Sequence, residues 1–126
     1  MDKLVREYFI KKIKRENFGQ IEKADFISRG SICIETSGDV ISIYIKKEGN
    51  ILSDVKMECG PCDPAAIVAT NIAVDILKNK KIDDIVNDKT ALDEEFSAII
   101  GGESKDGLIH FNKVIDQVKE MLKEEK

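Results

Sequence analysis

The spacing of apolar residues changes period along the chain, and each change marks a different kind of element. Near the N-terminus, apolar residues follow one side of a helical repeat, which predicts a helix from Leu4 to about Glu16 with Gly19 as its stop. From Asp25 to Cys59 the period is two, which is typical of strands. Turn residues at Thr36–Asp39 and Gly49–Asn50 interrupt this region. The predicted strands are Asp25–Thr36, Val40–Lys46 and Ile51–Cys59.

The apolar pattern becomes helical again after residue 63. Pro64–Asn79 is apolar nearly all round, which predicts a central buried helix. Short turns join the three strands, so we expect an antiparallel meander. The order α-β-β-β-α-α-α-α predicts an α+β fold with helices on one face of a small sheet. The other predicted elements are helices at Lys81–Val86 and Ala91–Ile99, a loop at Gly101–Gly107, and a last helix with a stripe of Leu108, Phe111, Ile115, Val118 and Leu122.

Length, composition and charge limit the kinds of protein that this chain can be. It has 126 residues, 42% apolar and 35% charged, which predicts a single globular domain over residues 1–126. The net charge is −4 and the one basic run, Lys11–Arg15, is short, which argues against binding to nucleic acid or to an anionic membrane. No secretory leader or membrane span is visible, so we expect a cytoplasmic protein.

The segment Glu58–Ala65, which reads ECGPCDPA, contains two of the three cysteines and both prolines. In a reducing cytoplasm, a Cys-x-x-Cys pair is more often catalytic or metal-binding than a structural disulfide. Asp63 followed by Pro64 is typical of a helix start, and a helix N-terminus favours a thiolate at Cys62. The spacing of Cys59 and Cys62 supports either one corner of a metal site or one disulfide, and both remain open.

Other chemically competent residues have simpler structural explanations. Cys33 lies in the middle of the first predicted strand, and Glu58 is expected on the solvent face of the third. His110, the only histidine, lies beside the apolar stripe of the last helix, so we expect a surface or boundary position. No phosphate-binding glycine motif and no nucleophile elbow is present, so nothing in the sequence independently indicates an enzyme.

Several segments resemble the IscU/NifU-type family of iron–sulfur cluster assembly scaffolds. ENFGQI at Glu16–Ile21 is similar to the family's N-x-G-x-[LI] segment, and TSGDVISIYIK at Thr36–Lys46 is similar to its Ala-Cys-Gly-Asp turn and strand. The stretch Gly49–Ile85 is similar to the next strand, cysteine turn and Ala-rich helix. The resemblance covers nearly the whole chain, is strongest over Gly38–Ile85 and is weak after Leu92.

This resemblance implies a non-enzymatic scaffold, which receives sulfur from a cysteine desulfurase and passes its cluster to apo-proteins. The family's cluster is held by three cysteines and an aspartate, so the resemblance implies ligands at Asp39 and at Cys59 or Cys62. Ser37 takes the place of the first family cysteine, and no cysteine stands near Asp106, where the third is expected. Two of the three family cysteines are therefore missing. The family's chaperone-binding string, Leu-Pro-Pro-Val-Lys, is missing too.

Three hypotheses follow from these observations. The first is a divergent scaffold that holds iron, an iron–sulfur cluster or zinc, since zinc accepts mixed cysteine and aspartate ligands. The second is a thiol–disulfide redox protein, although a thioredoxin-like fold places strands after its motif and only helices follow here. The third is a metal-free adaptor that docks a partner. A homodimer, in which two motif pairs supply four thiolates, is left open. The candidate ligands are Cys59, Cys62, Asp39 and Asp63, with Ser37 and Asp106 as weaker ones.

Overall fold

A three-stranded antiparallel sheet packed against helices forms the fold of the residues that the computed structural model describes, 2–30, 40–60, 62–87 and 89–124. This architecture confirms the predicted α+β class and the strand meander. None of the helices in these ranges has an apolar stretch long enough to cross a membrane. The elements are α1 (Lys3–Lys11), a 3₁₀ helix (Arg15–Asn17), β1 (Phe26–Gly30), β2 (Val40–Glu48), β3 (Ile51–Gly60), α2 (Pro64–Leu77), α3 (Ile82–Asn87), α4 (Lys89–Ile100) and α5 (Lys105–Glu124).

The central strand of the sheet, β2, sets the register of its two neighbours. Ile41 pairs with Gly30 of β1 and with Cys59 of β3, so these three residues form one row near the end of the sheet. Ile41, Ile43 and Ile45 are fully buried on the helix-covered face. The predicted core-facing residues of β2 are therefore confirmed, because side chains with a period of two share one face of a strand. Burial itself does not alternate, since Ser42 and Tyr44 on the other face are buried too. The same alternation places Cys59 on the core side of β3.

Helix α2 begins directly after the cysteine motif and is the most buried helix of the fold. The Asp63 carboxylate accepts a hydrogen bond from the Ala66 N–H at 3.0 Å, and Pro64 occupies the first turn. This is the predicted cap, since both residue types suit the groups left unpaired at a helix start. The helix contacts α1, α4, α5 and β3. Its fully buried Thr70 hydroxyl donates to the Ala66 carbonyl at 2.7 Å, so the buried polar group is satisfied.

The first helix is shorter than predicted, because it ends at Lys11 rather than near Glu16. The side chain of Asn71 on α2 accepts from the Lys14 N–H at 3.0 Å and donates to the Lys14 carbonyl at 2.9 Å. The Lys14 N–H is therefore not available to the Ile10 carbonyl, as a continued α-helix would require, while the Lys14 carbonyl also accepts from the Asn17 N–H at 3.2 Å in the 3₁₀ turn. The side chain of Asn17 then donates to the Asn71 carbonyl at 3.1 Å. Contacts with α2 therefore override the helical period of the sequence.

The last helix starts earlier than predicted and includes Gly107, which was expected in a loop. The Ser104 hydroxyl accepts from the Gly107 N–H at 3.1 Å and donates to the Asp2 carboxylate at 2.8 Å. A Cβ at position 107 would lie 3.0 Å from Phe96 Cζ, so glycine allows α5 to pack closely on α4. In the other direction, the part of the first predicted strand after Gly30 falls in residues 31–39, outside the described ranges.

Candidate functional site

The corner between β3 and α2 brings Cys59 and Cys62 together. Their Cα atoms lie 5.9 Å apart and their sulfurs are joined in a disulfide. Cα atoms at this separation can be bridged without moving the backbone. Both side chains are half-buried and pack against the hydrophobic core. The sequence prediction that these two cysteines meet at a strand-to-helix corner is confirmed.

The oxidation state of this pair decides what the corner can do chemically. The metal ligand and the nucleophile of cysteine chemistry is the thiolate, so neither sulfur can bind a metal while the disulfide is closed. Reduction opens the bond and leaves two thiols beside the N-terminus of the 14-residue helix α2. The positive end of the helix dipole favours the anionic form of a nearby thiol. The corner therefore holds either a disulfide or two thiols, and only the second state has sulfurs that could bind a metal.

The predicted role of Asp63 as a helix cap is confirmed, whereas its role as a metal ligand stays a prediction. Its Oδ1 atom accepts the Ala66 N–H, so a metal would have to share this carboxylate with the cap. Within residues 2–30, 40–60, 62–87 and 89–124, no three histidine, cysteine, aspartate or glutamate side chains are grouped so as to hold a metal ion.

Three residues singled out from the sequence, Asp39, Ser37 and Cys33, lie outside the described residues. The roles of Asp39 and Ser37 as ligands stay predictions. The described chain resumes at Val40, the residue after Asp39, and Val40 pairs with Gly60 in the turn that contains the cysteines. The start of β2 thus lies beside the disulfide corner.

Asp106 lies in the first turn of α5, where it contacts the only histidine. Its Oδ1 atom is 3.5 Å from His110 Nδ1, and its backbone carbonyl is 2.7 Å from the same nitrogen. The helix meets the end of β1 further along, because a Cβ on Gly30 would lie 2.6 Å from Gln117 Oε1. Gln117 is about 16 Å beyond Asp106 along the helix axis. The ligand role of Asp106 therefore gains no support from these contacts and stays a prediction.

A hydrogen-bonded group on the outer face of the sheet was missed by the sequence analysis. The Tyr44 hydroxyl donates to Glu58 Oε1 at 2.6 Å, and the Gln20 side chain donates to the same oxygen at 3.0 Å. The hydrogen bond from Tyr44, more than that from Gln20, lowers the pKa of Glu58, and the pKa of Tyr44 is raised in turn. Glu58 directly precedes Cys59, so this group holds the outer side of the strand that carries the first thiol. The sequence did contain a sign of the contact between Tyr44 and Glu58, since both residues are predicted on the polar face of adjacent strands.

Replacing Tyr44 by phenylalanine is expected to raise the pKa of Glu58 towards its ordinary value, because the hydroxyl that stabilises the carboxylate is lost. A carboxyl-detected NMR titration measures this shift. Because folding lowers the pKa of Glu58, its carboxylate stabilises the folded protein at any pH above the pKa that Glu58 has in the unfolded chain. This stabilisation is lost as the pH falls through the lower pKa of the folded state. In Tyr44→Phe, the free energy of unfolding should therefore change less with pH in this acid range. The matched variant Tyr8→Phe, which removes a hydroxyl elsewhere in the fold, should leave the pKa of Glu58 unchanged; equal shifts would contradict the assignment.

Two curated relatives share sequence with this chain. Over 68 residues the chain is 35% identical to each of two proteins of Archaeoglobus fulgidus that are named iron–sulfur cluster assembly scaffold proteins IscU 1 and IscU 2. The match covers 54% of this chain and 42% of each relative, so it spans less than half the length of those relatives. No protein-family model matches the chain.

Solved structures share the fold over almost the whole chain. One is a candidate iron–sulfur cluster assembly scaffold protein for the SUF system from Fervidobacterium islandicum, with a TM-score of 0.66, 16% identity, and coverage of 97% of this chain and 96% of that one. Another is the N-terminal part of a nitrogen-fixing NifU-like protein from Brucella abortus, with a TM-score of 0.63, 15% identity, and coverage of 98% and 94%. At these identities the likeness establishes the fold.

Proposed function

We propose, on the premise that this chain resembles the IscU/NifU-type scaffolds in sequence and in fold, that it is itself an iron–sulfur cluster assembly scaffold. In its reduced form, Cys59 and Cys62 bind iron or a cluster at the β3–α2 corner. The observation that carries the proposal is the placement of these two sulfurs on one corner, with Cα atoms 5.9 Å apart, beside a helix N-terminus. The bound iron and sulfide are cargo to be passed on.

The residue types at the corner suit this cargo. Thiolates are the usual ligands of iron–sulfur clusters, and soft sulfur donors select iron–sulfur clusters and zinc over harder ions. Asp39 is the residue before Val40, and Val40 pairs with Gly60 between the two cysteines; this pairing supports Asp39 as the oxygen donor of the proposed site. We assign Asp39 as a weak, exchangeable ligand and Asp63 as a carboxylate shared between the cap and the metal. An oxygen ligand makes the cluster easier to release.

The partners in this proposal are a cysteine desulfurase that supplies sulfur and apo-proteins that receive the cluster. These partners are carried over from the resemblance. We also propose, on the same basis, that the protein acts in the cytoplasm and has no enzymatic activity of its own. A second candidate function rests on the disulfide between Cys59 and Cys62, which is the oxidised state of a thiol–disulfide redox pair. It requires that the bond opens and closes reversibly against other thiols.

Anaerobic reconstitution of the reduced protein with ferrous iron and sulfide tests the proposal. Iron, acid-labile sulfide and zinc are then measured in the wild type, in Cys59→Ala/Cys62→Ala and in the matched control Cys33→Ala. We expect stoichiometric iron and sulfide with a visible charge-transfer band in the wild type and the control, and neither in the double variant. Circular dichroism confirms that all three proteins are folded.

The opposite results separate the alternatives. A wild type without iron and sulfide would end the scaffold proposal. Zinc bound by the wild type alone would then indicate a metal-stabilised relative. Reversible disulfide formation with catalysis of insulin reduction would instead support the redox function. A protein that binds no metal and catalyses no thiol exchange would be an adaptor.

A further inference from the structure

A cavity between the second half of α2 and α4 lies away from the cysteine corner. Its volume is about 350 Å³, within the range that small-molecule sites occupy. Asp75, on its α2 side, is separated from Pro64 at the corner by about 16 Å along the helix axis. The cavity is therefore a place distinct from the two thiols. Its lining residues are Asp75, Ile76, Lys80, Glu95, Ala98 and Ile99.

The cavity wall combines aliphatic side chains with a few charged groups whose charges balance. Ile76, which is nearly fully buried, belongs to the aliphatic part. The Lys80 ammonium donates to Glu95 Oε1 at 2.8 Å, and the Asp75 carboxylate is paired with the Lys14 ammonium at 2.8 Å. Each carboxylate at the cavity is thus next to one lysine. A ligand with a net charge of either sign therefore gains little net attraction here.

One polar atom at the cavity lacks a hydrogen-bond partner. Glu95 Oε2 is shielded from solvent, and no group of the described residues donates a hydrogen bond to it. Buried polar atoms nearly always have a partner, because an acceptor left without one lowers stability. The Glu95 side chain as a whole is 42% exposed, and the last torsion of a glutamate is soft, so a small rotation presents Oε2 to the cavity. A ligand that carries an N–H donor would satisfy this oxygen.

We propose that the cavity binds a small zwitterion with an aliphatic body, of the chemical class of a free apolar α-amino acid. Its ammonium donates to Glu95 Oε2. Its carboxylate accepts from Lys80, whose ammonium has three donors and uses one of them on Glu95 Oε1. Its aliphatic side chain packs against Ile76 and Ile99. The inference is independent of the proposed function, because it involves neither thiol.

Titration of the isotope-labelled protein with L-leucine, followed by NMR, tests this assignment. We expect saturable shifts at the amides of Ile76, Glu95 and Ile99. Isoamylamine, which lacks the carboxylate of leucine, and isocaproate, which lacks its ammonium, should each bind about tenfold more weakly, because each loses one charge-assisted hydrogen bond. Equal affinity for the three compounds would overturn the zwitterion site. So would the absence of a saturable shift with leucine, or shifts confined to other parts of the chain.

Two substitutions locate the site, and a third is their matched control. Glu95→Gln keeps the shape of the side chain but loses its charge, so leucine binding should weaken by about tenfold. Ala98→Leu, at an exposed position, fills the cavity without changing its charges and should weaken binding by at least as much. Glu94→Gln changes the exposed neighbour of Glu95 on α4 and should leave binding unchanged.

Thermal unfolding followed by circular dichroism gives a second measurement on the same proteins and shows that each variant is folded. A ligand that binds only the folded state raises the unfolding temperature. We therefore expect leucine to raise it in the wild type and in Glu94→Gln, and to have little effect in Glu95→Gln and Ala98→Leu. Equal leucine binding by all four folded proteins would overturn a site in this cavity.

Discussion

Replacing Phe111 by alanine is expected to lower the free energy of unfolding by about 4 kcal/mol. Phe111 is fully buried on α5, and its ring centroid lies 4.7 Å from that of Phe96 on α4. The substitution removes the apolar surface that the ring buries and leaves a cavity that the surrounding helices fill only in part. Equilibrium urea unfolding, followed by circular dichroism, measures the loss.

The matched control for this substitution is Phe9→Ala on α1, where the side chain is 38% exposed. We expect it to cost about 1 kcal/mol or less, because much of that ring already contacts water. A double-mutant cycle between Phe96 and Phe111 should also give a coupling of about 1 kcal/mol, as is usual for aromatic pairs. Equal costs for Phe111→Ala and Phe9→Ala would contradict the packing of α4 against α5.

Replacing Asn71 by alanine is expected to lower the free energy of unfolding by about 3 kcal/mol, because buried polar groups lose their partners. Asn71 is fully buried, and its side chain holds both the N–H and the carbonyl of Lys14. Its loss frees the segment between α1 and the 3₁₀ helix. Urea unfolding measures the stability, and hydrogen exchange at the Lys14 N–H measures the local release.

The control for the Asn71 prediction is Asn87→Ala, which changes an exposed asparagine at the end of α3. We expect a change within about 0.5 kcal/mol and no effect on exchange at Lys14. An unchanged exchange rate of the Lys14 N–H in Asn71→Ala would contradict the two hydrogen bonds by which Asn71 of α2 holds Lys14. Asn17, from the segment that resembles the IscU/NifU family, belongs to the same group of hydrogen bonds. Its side chain donates to the Asn71 carbonyl, and the Asn17 Oδ1 atom accepts from the Lys78 ammonium at 2.7 Å.

The candidate site shows which of its parts were accessible from the sequence. Cys59 and Cys62 are three positions apart at a strand-to-helix corner, so local chain geometry alone brings them together. The cap by Asp63 is local as well, since its partner is Ala66. The hydrogen bond from Tyr44 to Glu58 depends on how β2 aligns with β3. To predict this hydrogen bond from the sequence, one would need the pairing register of β2 and β3 as well as the face on which each side chain lies.

The sequence by itself determined the order of the helices and strands, the side of β2 that carries its isoleucines and the start of α2. Those features follow from side chains a few positions apart, because apolar periods and caps act within one element. Only the tertiary structure decided where α1 ends and where α5 begins. The first depends on Asn71 holding Lys14, and the second is accompanied by Ser104 reaching Asp2. The partners in each of these hydrogen bonds lie far apart in the sequence. A pattern of neighbouring residues therefore cannot predict them, and only the folded chain brings them into contact.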